Sequence, residues 1–351
     1  MQPRVAVFEA DAPLQCGVTL PDARLVYATY GTLNEARDNA VVFPTRYGGS
    51  HEDNPPLIGE GLALDPSRYF VVVPNMLGNG VSSSPSNTEP PHDRGRFPQT
   101  TIHDNVMLQH RLLTEELGVR RLALAVGWSM GGQQAYHWAA HFPELVPRLA
   151  VLCGAARTAP HTHVFLEGMA AALTADGDFA DGDYTAPPER GLRAIARAWA
   201  GWGYSQQWWR EHRYRELGFE SVEDYLSRSW EAMMLGRDAN DLVSMIRTWQ
   251  AADVGANERF GGDYESAMRA ITAAAVIMPG QTDLYFPPED SAAEVALLRN
   301  GRQVTIPSIW GHYAGGARTD ADLRLIDQTL KDLLAVTAPW TGRPVCARGG
   351  G

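Results

Sequence analysis

The chain reads as an α/β protein, with a mostly parallel central sheet, helices on both faces and one inserted helical segment. Three observations predict this. Short β-rich runs alternate with helical patterns at the spacing of βα units, which places covering helices on the two faces of a parallel sheet. One such run, LALAV from Leu122, breaks at Gly127 in GWSMG and gives way within a few residues to a helical pattern reaching His141. From about Arg157 to Arg269 no strand-like run occurs, and the stretch is rich in aromatics, as in RAWAGWGYSQQWWREHRY from Arg197.

Strands are expected at RLVYATYG from Arg24, AVVFP from Ala40, YFVVVPN from Tyr69, LALAV from Leu122, LAVLCG from Leu149, AAAVIMPG from Ala273 and QVTIP from Gln303. Each is short, apolar and closed by Gly, Pro or Asn. A helix is expected over TIHDNVMLQHRLLTEELG, from Thr101 to Gly118, with apolar residues at helical spacing, an acidic residue in the first turn and a terminal Gly. The strand-free stretch is too long for a connecting loop. The expected organisation is therefore a core over 1–156, a helical insertion over 157–269 and the rest of the core over 270–351. The closing ARGGG reads as a disordered tail.

With 351 residues, 44% hydrophobic and 20% charged, the chain can bury a sizeable core. No apolar run approaches the roughly 20 residues that cross a bilayer. The charged start MQPRVAVFEADAP lacks the apolar stretch of a signal peptide, so a cytoplasmic protein is expected. A net charge of -11 and a single lysine, Lys331, weigh against nucleic acid and membrane as partners, because both call for concentrated positive charge. Cys16, Cys153 and Cys346 lie far apart in no C-x-x-C pair; buried or incidental thiols are expected, not a disulfide framework or a thiolate zinc site.

GWSMG between a strand and a helix satisfies the context of a G-x-S-x-G nucleophile elbow. The serine must adopt a strained backbone so that its Oγ stands clear of the sheet edge, while strand and helix cross too closely for side chains at the flanking positions. Ser129 then sits at a helix N-terminus, and the Met130 N–H becomes a ready donor to an oxyanion. Taken alone the pattern also fits a plain tight turn. A serine hydroxyl needs a base, and the base an orienting acid. Asp283 follows the strand AAAVIMPG and His312 follows QVTIP, and His312 is the only histidine beyond His212. Strand ends of a parallel sheet share one edge, so these loops can converge on Ser129. Glu289, Asp290 and Asp320 are rivals for the acid, but sit in or near expected helices.

Together these segments resemble the homoserine O-acetyltransferase family of α/β-hydrolases. The resemblance is carried by GWSMGGQQAYHWA, PNMLGNGVSSSPS from Pro74, TTIHDNVMLQHRLL from Thr100, RDANDL from Arg237 and TDLYFPPED from Thr282. It implies the α/β-hydrolase fold, a helical lid formed by the insertion, and a homodimer through that lid. The loop PTRYGGSH from Pro44 falls where the family has His-Ala-Leu-Thr-Gly, whose leucine gives the second oxyanion amide. That role carries over to the backbone N–H of Arg46.

Departures from the family narrow the substrate. Homoserine acetyltransferases follow the catalytic histidine with an aspartate that holds the substrate amine; here Tyr313 follows. The family's lid arginine, which holds the carboxylate, falls at or near Tyr204. Without those charges, each worth about 1.5–3 kcal/mol as a charged hydrogen bond, homoserine is not the expected substrate. Trp199, Trp202, Trp208 and Trp209 either line an aromatic pocket under the lid or form plain core, and Arg46 either binds an anionic group or is a solvated surface arginine. His161 and His163 lack a third metal ligand nearby, and GNG in NMLGNG completes neither a phosphate-binding nor a dinucleotide motif, so no metal or cofactor is expected. His103, His110, His137 and His141 read as surface or capping residues on helices.

The resulting expectation is an acyl-transfer enzyme working through acyl-Ser129, a carboxylic ester hydrolase acting on small-molecule esters of short acyl groups such as acetyl, with water as acceptor. One alternative is an O-acetyltransferase using acetyl-CoA as co-substrate on an alcohol other than homoserine. Another is a non-catalytic binding protein.

Overall fold

The computed structural model describes residues 2–336; Cys346 and the ARGGG tail lie outside the described residues. Eight strands form one sheet: β1 Arg4–Pro13, β2 Thr19–Tyr30, β3 Ala40–Val42, β4 Phe70–Pro74, β5 Leu122–Trp128, β6 Arg148–Leu152, β7 Ala274–Met278 and β8 Gly301–Gln303. Their spatial order is β1-β2-β4-β3-β5-β6-β7-β8. The pairs β1–β2 and β2–β4 are antiparallel, and every pair from β4 to β8 is parallel.

All seven expected strands are present. An eighth, β1, is absent from the sequence expectation because it is a largely exposed edge strand without the buried apolar run that marks the others. At the opposite edge β8 pairs two residues earlier than QVTIP suggests, and Ile306 adds only an isolated bridge to Gly280.

Alternation of side chains assigns the apolar runs to two cores. On β4, Val71 and Val73 face one buried cluster and Val72 the other, and on β5 Leu124 and Val126 oppose Ala125 in the same way. Strands buried on both faces read as unbroken apolar runs, which is why these were visible in the sequence.

The helices are α1 Ile102–Arg111, α2 Met130–His141, α3 Pro160–Thr174, α4 Glu189–Gly203, α5 Gln206–Arg210, α6 Val222–Tyr225, α7 Ala232–Leu235, α8 Ala239–Gln250, α9 Tyr264–Ala270, α10 Pro288–Leu297 and α11 Asp320–Leu334. Helix α1 starts with a capping box: Thr101 Oγ1 accepts from the Asp104 N–H, and Asp104 Oδ2 accepts from the Thr101 N–H. Residues of α11 pack on one face of the sheet, and those of α1 and α2 on the other. No helix among the described residues is long and apolar enough to cross a membrane.

Helices α3–α9 all fall between β6 and β7, and the only β pairing in this stretch among the described residues is an isolated bridge from Arg157 to Asp253. That bridge forms a neck. The Thr158 N–H donates to the Ala252 carbonyl and the Val254 N–H to the Ala156 carbonyl, both at 2.9 Å. Above the neck Trp199, Trp230 and Trp249 join Met130 and Tyr285 in one buried cluster, so the insertion is packed directly onto the sheet's carboxyl edge. Beyond it, α9 packs against α2 and α10.

Candidate active site

Ser129 occupies the junction between β5 and α2 with φ 61° and ψ -128°, a conformation that side-chain-bearing residues rarely adopt. Such backbone costs roughly 1–3 kcal/mol and persists only where its surroundings over-determine it. Here the Ser129 N–H donates to the Leu152 carbonyl of β6 at 2.9 Å, and the start of α2 leaves no room to relax. A Cβ on Gly127 would lie 2.0 Å from the Gly131 carbonyl oxygen, and one on Gly131 would lie 2.5 Å from that of Pro44. Both glycines are therefore required by close approach. As the first residue of α2, Met130 has an N–H without an intrahelical acceptor.

Asp283 and His312 arrive from the loops after β7 and β8. His312 Nδ1 lies 2.9 Å from Asp283 Oδ2, while Asp283 Oδ1 accepts from the N–H groups of Tyr285 and Phe286 at 2.8 and 3.3 Å. With Nδ1 donating to the carboxylate, Nε2 is left as the basic nitrogen. The imidazole is held by the Trp128 ring, stacked at 5.4 Å, and by the edge of Tyr285 at 4.8 Å. Of the rival acids, Glu289 and Asp290 occupy the first turn of α10 and Asp320 that of α11, where they complement the helix dipoles. Ser129 and His312 line one cavity, and no hydrogen bond joins them among the described residues. Contacts of this kind tighten when substrate binds.

The loop after β3 carries Arg46 against the start of α2. A relay of buried side chains fixes it: Trp138 Nε1 donates to Gln109 Oε1, Gln109 Nε2 to Gln134 Oε1, and Gln134 Nε2 to the Thr45 carbonyl at 2.9 Å. The segment from Pro74, which completes no phosphate or dinucleotide motif, braces the same loop. Asn79 Nδ2 donates to the Gly49 carbonyl, and Thr45 Oγ1 accepts from the Met76 N–H.

The cavity over these groups measures about 110 Å³. An apolar cavity of about 150 Å³ holds a benzene-sized guest, so this one suits a short acyl group and a small alcohol. Its walls include Trp128, Trp199, Trp230, Trp249, Leu242 and Met234. Among the described residues no carboxylate lines it, whereas Arg46, Arg237 and Arg318 do.

Several expectations are corrected here. Arg46 is not a solvated surface arginine: its guanidinium lies 5.0 Å from the Trp128 ring, donates to the Tyr47 carbonyl, and has a buried Nε without a partner. Burial lowers its pKa from the ordinary guanidinium value, with Tyr313 and Asp53 opposing. Tyr204 does not line the cavity. It is buried behind the wall, stacked on Tyr313 at 4.6 Å and accepting a hydrogen bond from the Tyr225 hydroxyl, because the aromatic core of the insertion encloses it. Tyr313 does line the cavity, with the Arg318 guanidinium 5.5 Å from its ring. Among the four expected tryptophans only Trp199 reaches the cavity; Trp208 is wholly buried in the core of the insertion beside Trp209, and Trp202 packs on His161 and Phe165. His137 and His141 are buried rather than superficial, since α2 is covered by α1 and by the loop after α8. Cys153 is buried beneath the site, and Cys16 is exposed.

Arg237 and Arg318 are the charged wall residues that sequence reasoning missed, and Trp230, Trp249, Leu242 and Met234 are apolar ones. Arg237 opens the family-like RDANDL segment and Arg318 follows His312 closely, but nothing in the periodicity of either segment marks an inward-facing charge.

A family described as the alpha/beta hydrolase fold matches residues 39–315. An ethyl acetate hydrolase from Pseudomonas veronii is 38% identical over 330 residues, covering 93% of this chain and 94% of its own. A homoserine O-acetyltransferase from Chloroherpeton thalassium is 30% identical over 322 residues, covering 88% and 83%. The crystal structure of an acetylester hydrolase from Corynebacterium glutamicum superposes with a TM-score of 0.90 at 35% identity, covering 95% of this chain and 96% of that one. The chain belongs to the α/β-hydrolase fold family, and its relatives include both esterases and acyltransferases.

Proposed function

We propose that this chain hydrolyses short-chain acetyl esters of small alcohols through an acyl-Ser129 intermediate. His312 Nε2 takes the Ser129 proton as Oγ attacks the ester carbonyl, and Asp283 holds the imidazole tautomer and stabilises the imidazolium. The negative oxygen is received by the N–H groups of Met130 and Arg46. Collapse expels the alcohol, which leaves with the proton from His312. Water then attacks the acyl group, gives its proton to His312, and Ser129 is released with acetate as product.

The observation that carries this reading is the His312–Asp283 pair beside Ser129 at the floor of a small aromatic cavity that lacks a carboxylate among the described residues. A cavity of that size selects short acyl chains, and the absent carboxylate leaves a substrate ammonium unpaired. Similarity to an ethyl acetate hydrolase and to an acetylester hydrolase supports the same substrate class. In this reading the segment 157–269 acts as the lid, the protein is cytoplasmic, and exposed Val164, Val222 and Met233 on the lid favour a homodimer through it.

A second reading rests on Arg46, Arg237 and Arg318. Three guanidinium groups on the cavity wall suit an anionic acyl donor, and acetyl-CoA with an alcohol acceptor would make the enzyme an O-acetyltransferase. Labelling by a fluorophosphonate should occur in the wild type and not in Ser129→Ala. Release of acetate from ethyl acetate in water alone would support hydrolysis. Turnover of acetyl-CoA only when an alcohol is added, with no ester hydrolysis, would replace it by transfer.

A further inference from the structure

Away from the cavity, helices α1 and α2 bring three imidazoles together. His103 comes from α1, and His137 and His141 lie one helical turn apart on the same face of α2. One ring nitrogen of each lies within 4.8 Å of the others, and His103 Nδ1 is 3.3 Å from His141 Nε2. His137 is 2% exposed, and neither of its ring nitrogens has a hydrogen-bond partner. A hydrogen bond between His103 and His141 accounts for those two rings but leaves His137 unexplained, and an unsatisfied buried imidazole is costly.

We propose that His103, His137 and His141 form a binding site for a divalent transition metal of the zinc type, separate from the esterase centre. Two imidazole nitrogens bound at about 2.0–2.1 Å and at a tetrahedral angle lie roughly 3.3–3.4 Å apart, which is the spacing of His103 and His141. The third ring supplies the ligand that His137 otherwise wastes. A surface pocket lined by His103, His141, Glu258 and Arg259 gives a metal ion access and leaves its fourth position for water. Glu258 supplies negative charge beside His103. Arg259 opposes a cation, but its guanidinium is engaged by the His141 carbonyl and lies over the Phe260 ring.

The test is calorimetric titration of chelator-treated enzyme with Zn²⁺, with Co²⁺ as an optical probe of tetrahedral nitrogen ligation. Wild type should bind one ion at this site, and Zn²⁺ should raise its melting temperature. His103→Gln, on the half-exposed ring, should weaken binding by about a hundredfold or more and abolish the Co²⁺ bands, with His141→Gln as a second variant should the first fail to fold. His312→Ala, which removes the Cys153–Asp283–His312 group as a competing site, should leave the binding intact. No saturable Zn²⁺ binding in the wild type, or binding unchanged in both glutamine variants, would overturn the proposal, as would its loss in His312→Ala alone.

Discussion

The sheet's carboxyl edge and the helical insertion face each other across one cavity, yet they are specified in different ways. At the edge, backbone geometry dictates residue identity: Gly127 and Gly131 have no space for a Cβ, and Ser129 is held at a positive φ. In the insertion, packing between side chains dominates, as where Tyr204 is enclosed by Trp208, Tyr225 and Tyr313. Its glycines are mixed: a methyl group added at Gly201 in α4 would meet nothing within 4 Å, whereas one at Gly191 in the same helix would lie 2.3 Å from the Leu173 carbonyl oxygen. Reaction class therefore resides in a few backbone-constrained positions, and substrate choice in a packed wall that can change piecemeal.

The contrast can be broken at its strongest point. Gly127→Ala should abolish folded protein, because its new methyl would collide with backbone 2.0 Å away that cannot move without displacing Ser129; recovery of soluble, fully active enzyme would refute that account. Asp283→Asn should fold normally and lower kcat by about 10⁴-fold by presenting the wrong imidazole tautomer, which steady-state kinetics with circular dichroism will read. Gln134→Leu removes the donor to the Thr45 carbonyl, and kcat should fall by about 10- to 100-fold with a smaller change in KM, through loosening of the Arg46 loop. In the insertion Gly201→Ala should instead stabilise the protein by about 0.4–1 kcal/mol in denaturant titration, since helix α4 gains from a reduced unfolded-state entropy.

A pH-dependent effect concerns Glu294, on α10, whose carboxylate accepts from the Ala156 N–H at the neck of the insertion. Burial raises its pKa from 4.5 to about 7, with hydrogen bonds from the Ala156 N–H and the Tyr264 hydroxyl opposing. The folded protein therefore holds a proton that the unfolded chain releases between those values. Its contribution to stability is fully present below about 4.5 and is lost as pH rises through about 7. Glu294→Gln, neutral throughout, should gain in melting temperature over the wild type at pH 8 and show no such gain at pH 4; an equal difference at both would exclude this titration.

How much of this was legible in the sequence follows the same division. The elbow was readable because steric necessity leaves glycine as its trace, and Asp283 and His312 because each directly follows a strand whose end must reach the same edge. The strand β1 was not, since an exposed edge needs no apolar pattern. Nor could periodicity separate Trp199, which faces the cavity, from Trp208, which faces lid core: both are aromatics in helices, and only the neighbours differ. The positions of His137 and His141 on α2 were visible, but their burial beside His103 depends on where α1 lies, which no local pattern encodes.

The neck at Thr158 and Val254 has an evolutionary corollary. Because two main-chain hydrogen bonds pair the entering and leaving segments of the insertion, the chain reaches nearly a hundred residues through one stem, although their side chains also pack on the sheet's carboxyl edge. Such a stem lets the insertion change in length and sequence while Ser129 and His312, carried by the junction after β5 and the loop after β8, keep their places.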